Sequence, residues 1–212
     1  MVQVSIMADW QALGEVQYRK WSLYEEMLWS SQDLNIEDYK IFGSEFGGPL
    51  ALTTSTSSSS SSGSVKEKLL IFTAAGRRIS EIDLDNKCKS VGIGWSDQEQ
   101  LIVVLEDGNV LIYDTIGKLI KSFMLLEITS VHKIVECVFW GDGVVSVATD
   151  LQLYIADGLS SYDLSSLRKY PMATSLSLKR PYTAIEVIPP LLSRSGMLEV
   201  ILATVDGRYI FF

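Results

Sequence analysis

One plan recurs three times along this chain: an apolar strand ending near a Trp or Pro, a second apolar strand, a turn at an Asp, and a third apolar strand. The clearest copy is Val91-Gly92-Ile93-Gly94-Trp95, then Leu101-Ile102-Val103-Val104-Leu105, the turn Asp107-Gly108, and Val110-Leu111-Ile112-Tyr113. A second runs through Val138-Phe139-Trp140, Val144-Val145-Ser146-Val147, Asp150 and Leu153-Tyr154-Ile155. A third runs through Ile185-Glu186-Val187-Ile188-Pro189, Val200-Ile201-Leu202, Asp206-Gly207 and Tyr209-Ile210-Phe211. Trp95 and Trp140 stand 45 residues apart, and Asp107 and Asp150 stand 43 apart. Short strands repeating every 40–45 residues or so are the spacing of a β-propeller blade. The expected fold class is all-β: a partial β-propeller of about three and a half blades of four-stranded antiparallel sheet.

A further blade assembles upstream of these copies. Tyr39-Lys40-Ile41-Phe42 leads through Gly47-Gly48-Pro49 to Leu50-Ala51-Leu52, and Leu69 to Thr73 leads through Ala75-Gly76 to Ile79-Ser80-Glu81-Ile82. Between them, residues 53–64 are Ser, Thr and Gly alone. Such a tract has no side chain that offsets its ordering entropy, so a disordered loop is expected there, tolerated because closure entropy grows only logarithmically. In the second copy, Lys118 to Phe123 supplies the outer strand, while Asp150-Leu151-Gln152 in the next replaces Asp-Gly, so a different turn is expected. Residues 1–38 form an aromatic-rich segment (Trp10, Tyr18, Trp21, Tyr24, Trp29) that can supply a strand closing the last blade. The domain reading is therefore 1–38 for that segment and 39–212 for the partial propeller. Rings typically hold roughly 4–8 blades. The chain therefore reads as the N-terminal part of a longer protein, an open fan with sheet faces wet at both ends and aggregation-prone when expressed alone.

Charge and composition exclude several classes. The formal net charge is −8, unlike the basic surface that nucleic acid or anionic lipid attracts. Residues 1–50 carry −5 and residues 65–212 carry −3, most simply a solvated surface. There is no run of about 18 apolar residues and no basic n-region before an apolar stretch, so neither a membrane span nor a signal peptide is expected. Cys88 and Cys137 are the only cysteines, which suggests a reducing compartment and a cytoplasmic chain.

Catalytic constellations are absent from the pattern. His132 is the only histidine; with Glu136 four residues on it makes neither a zinc site nor a triad, and it reads as a surface residue. Gly92-x-Gly94 lacks a third glycine and lies in a strand, so it is not a dinucleotide loop. Asp83, Asp85 and Asp97 read as turn acids rather than a carboxylate pocket. Trp95 and Trp140, at equivalent repeat positions, read as blade packing rather than ligand stacking. No catalytic, cofactor-binding or metal residues are assigned, no cofactor is expected, and no enzymatic activity follows.

Several motifs resemble one family in family order. They are Ala8-Asp9-Trp10, Leu13-Gly14, Tyr18 to Tyr24, Phe46 to Ala51, Gly94-Trp95-Ser96, Glu106-Asp107-Gly108 and Val135 to Gly141. They resemble the N-terminus of the vacuolar protein sorting-associated protein 16 family. That resemblance implies an N-terminal propeller followed by an α-helical solenoid. It also implies a non-enzymatic scaffold subunit of the HOPS and CORVET tethering complexes, acting in vesicle transport and SNARE-mediated fusion. Implied partners are the other class C subunits, with the Sec1/Munc18-type subunit and SNAREs reached through the solenoid; no nucleic acid is expected. Membrane association would be indirect, on late endosomes and vacuoles or lysosomes. The alternative is an unrelated propeller adaptor that binds peptides on its top face.

Overall fold

The computed structural model describes residues 10–19, 34–54, 67–84, 88–126, 131–159, 168–171 and 182–211. Outside these lie the aromatic segment around Trp21, Tyr24 and Trp29, the Ser/Thr tract from residue 55 to 64, Asp85, and residues 160–163. Runs of Val, Ile and Leu without a polar interruption form strands that bury both faces. β8 (Leu101–Leu105) and β12 (Gly143–Ala148) are buried at every residue. Where polar residues interleave, as in β10 (Leu119–Met124), the strand lies at the exposed outer margin of its sheet.

These strands form the blades of a partial β-propeller. Blade 1 orders β3 (Tyr39–Gly43), β4 (Leu50–Thr54), β5 (Lys68–Phe72) and β6 (Arg78–Asp83). Blade 2 orders β7 (Ser90–Trp95), β8, β9 (Asn109–Tyr113) and β10, and blade 3 orders β11 (Ile134–Trp140), β12, β13 (Gln152–Ala156) and β14 (Arg168–Pro171). Blade 4 has three described strands, β15 (Tyr182–Ile188), β16 (Glu199–Thr204) and β17 (Tyr209–Phe211). All pairs are antiparallel. Near the N-terminus β1 (Trp10–Leu13) and β2 (Val16–Arg19) pair with each other as a separate two-stranded sheet. At the start of the Ser/Thr tract the expected loop is shorter than the sequence suggests. Thr53 and Thr54 complete β4, where they pair with Lys40 and Tyr39.

The core lies between blades rather than within one. Ala51, Leu69 and Ile71 of blade 1 meet Ile93, Trp95, Leu101 and Val103 of blade 2. Ile102, Val104 and Ile112 of blade 2 meet Ile134, Val144 and Tyr154 of blade 3. Val145, Val147 and Leu153 of blade 3 meet Ile185, Val200 and Leu202 of blade 4. The first strands of blades 2, 3 and 4 share a device that the sequence did not reveal. Each slips register near its start, between Ser90 and Gly92, Ile134 and Glu136, and Tyr182 and Ala184. Such a bulge flips every later side chain to the other face.

The hairpin turns between second and third strands take one form in blades 2 and 3, against the expectation of a different turn in blade 3. Gly108 has φ +87° and takes a hydrogen bond path to Leu105, its N–H donating to that carbonyl at 2.9 Å, while Asp107 is not in the positive-φ region. The turn is thus a type I turn closed by one left-handed residue, not the two-residue loop with both residues left-handed. In blade 3, Leu151 donates to the Ala148 carbonyl at 2.9 Å with φ +60°. The turn there is the same turn, made with a leucine where blades 2 and 4 use Gly108 and Gly207.

Candidate interaction face

Strand directions collect one set of loops at one end of the blades. Pairing of Tyr39 with Thr54, Ser90 with Leu105, Ile134 with Ala148 and Tyr182 with Thr204 puts the starts of the first strands beside the ends of the second. On this face, links between consecutive blades are polar. The Glu67 carboxylate accepts from Thr53 Oγ1 at 3.0 Å, from the Ser90 N–H at 3.1 Å and from Ser90 Oγ, tying blade 1 to blade 2. Lys133 Nζ pairs with Glu106, and the Ile134 N–H donates to the Glu106 carbonyl at 2.9 Å, tying blade 2 to blade 3. Glu106 holds the Lys133 ammonium above its ordinary pKa by hydrogen bonding first and charge second. Tyr182 OH donates to Glu136 Oε2 at 2.7 Å, tying blade 3 to blade 4. Burial first, then that carboxylate, pushes the phenol up.

Lys40, Phe42, Thr53, Thr54, Glu67, Lys89 and Ser90 line a cleft of about 30 Å³ between blades 1 and 2. Small-molecule sites run to roughly 300–1,000 Å³. This cleft holds a water or the tip of one side chain, and its carboxylate already has three donors. Its chemistry is that of a seam between blades with two exposed lysines, Lys40 and Lys89, at its mouth.

The residues weighed from sequence fall into separate places. His132 is surface-exposed on this face, with Nε2 3.9 Å from Asp150 Oδ2 and Nδ1 3.5 Å from Thr149 Oγ1. Asp83 pairs in register with Lys68 at this end, whereas the Asp97 N–H donates to the Gly141 carbonyl at 3.0 Å at the other. The two carboxylates therefore share no pocket. Among the described residues, no group of three or more His, Cys, Asp and Glu side chains is placed to hold a metal. Nor is any described helix long and apolar enough to cross a membrane. Cys137 is held against blade 2, and burial, its largest influence, pushes its thiol up to about 12.

Trp95 and Trp140 both pack between blades, but they are not counterparts. Trp95 is 8% exposed, faces blade 1 and donates its indole N–H to the Phe42 carbonyl at 3.0 Å. Trp140 belongs to the cluster facing blade 4. Counting from the bulge, Trp95 matches Phe139, because β11 continues one residue further before its turn. A side-chain period of two then sends Trp140 to the opposite face. The glycines of Gly92-x-Gly94 have a structural role that motif reading missed. A Cβ on Gly94 would lie 2.5 Å from Phe139 Cγ, and one on Gly92 would lie 2.6 Å from Cys137 Cβ. They allow β11 to close on β7 where the first strands converge. Glu67, Glu106, Lys133 and Tyr182 were missed for a different reason: their side-chain bonds between blades link residues 23 to 46 apart in sequence.

A family model described as Vps16, N-terminal region, matches residues 6–207. The chain is 32% identical to Protein VACUOLELESS1 of Arabidopsis thaliana over 99% of its own length and 24% of that protein's. It is 30% identical to the vacuolar protein sorting-associated protein 16 homolog of Dictyostelium discoideum, over 97% of its length and 24% of that protein's. It thus spans about a quarter of the length of these relatives. Among solved structures it is similar to BamB from Moraxella catarrhalis, with TM-score 0.52, 13% identity, and coverage of 84% of this chain and 48% of that one. It is also similar to the computationally designed Ika4 protein, with TM-score 0.52, 14% identity, and coverage of 81% and 88%. At such identities the structural likeness speaks for the fold alone.

Proposed function

The chain belongs to the family of the Vps16 N-terminal region, and from that premise we propose that it serves vacuolar protein sorting as a non-enzymatic scaffold. In this reading it is the propeller part of a subunit of the HOPS and CORVET tethering complexes. It acts at the periphery of late endosomes and of vacuoles or lysosomes, alongside the other class C subunits. A helical solenoid would carry the Sec1/Munc18-type subunit and, through it, the SNAREs. The observation that carries the reading is the family match over residues 6–207. One feature of the face supports a scaffold: Glu67, Ser90, Glu106, Lys133, Glu136 and Tyr182 join consecutive blades through side-chain bonds. A rigid rim assembled this way presents a fixed surface to neighbouring subunits without spending groups on catalysis.

Affinity purification of the tagged chain from eukaryotic cells, with its partners identified by mass spectrometry, tests this directly. The expected outcome is enrichment of class C tethering subunits over a control propeller of another family. Enrichment of unrelated proteins through a shared peptide motif, with no sorting subunit recovered, would instead establish the peptide-binding adaptor.

A further inference from the structure

We draw no further inference here: the strongest candidate, the apolar surface patch that Leu191, Leu192 and Met197 form on the loop joining β15 to β16, carries nothing because nothing in the structure shows what covers it.

Discussion

Leu151 occupies a conformation in which its Cβ crowds the following carbonyl, a cost of roughly 1–2 kcal/mol for a residue other than glycine. The matching turns of blades 2 and 4, also between the second and third strands, use Gly108 and Gly207, at φ +87° and +77°. Leu151 persists because its side chain packs against the cluster shared by blades 3 and 4. That balance predicts an inverted order of truncations. Leu151→Ala loses the packing and keeps the strain, whereas Leu151→Gly loses the packing and releases it. The glycine variant should be the more stable of the two by about 0.5–1 kcal/mol, after its greater unfolded-state entropy is charged against it. Urea midpoints at equal slope measure the difference, and an alanine variant equal to or above glycine would deny the strain. The sequence made the Asp of each turn legible, because Asp107 and Asp150 accept from the N–H groups two residues on, at 2.9 and 3.2 Å. It hid the conservation of the turn in blade 3, because a leucine at that place looks like the start of a strand. Only the packing across the blade boundary explains why the backbone accepts it.

At the scale of strands, the legible part was each strand's existence and the hidden part was its facing. β8 and β9 announce themselves through Leu101 to Leu105 and Val110 to Tyr113. Val91, Val135 and Thr183, the residues at the three bulges, carry no local signature, and the facing of Trp95 and Trp140 depends on them. The contact of β7 with β11 depends on the same shift, since it turns Gly92 and Gly94 toward Cys137 and Phe139. Gly94→Ala should therefore cost about 1–3 kcal/mol by overpacking, although alanine is ordinarily no worse than glycine in a strand. Phe139→Leu alone should cost less than Phe→Ala truncations do, and it should relieve the clash in the double variant. A double-mutant cycle from thermal or urea unfolding should show the two changes coupled favourably by at least about 0.5 kcal/mol. Additive costs would mean that Phe139 does not press on Gly94 and that the close approach of the strands has another origin.

For the molecule as a whole, the two end blades differ. On blade 1, the face turned away from blade 2 is covered: Leu52 and Phe72 are fully buried beside Leu34, Tyr39 and Leu50. On blade 4, Val200, Leu202 and Ile210 face blade 3, and among the described residues no apolar cluster covers the opposite face. There the register aligns Ile201 with Phe211 and Ala203 with Tyr209, with Phe211 64% and Tyr209 70% exposed. β17 is also the outer strand of its three-stranded sheet, with an unpaired edge among the described residues. An apolar sheet face beside an open strand edge templates association. The 212-residue chain alone should therefore associate with itself through blade 4 and not through blade 1. Sedimentation velocity across a concentration series should show the association. Tyr209→Lys with Phe211→Lys should suppress it by placing charge on both the face and the edge. These two residues are exposed, so the variant should keep the far-UV spectrum and the melting temperature of the parent, and its loss of association cannot be laid to unfolding. A chain that stays monomeric at every concentration would mean that blade 4 is shielded in solution. Association that survives the two lysines would place the sticky surface elsewhere, with the covered face of blade 1 the next to test.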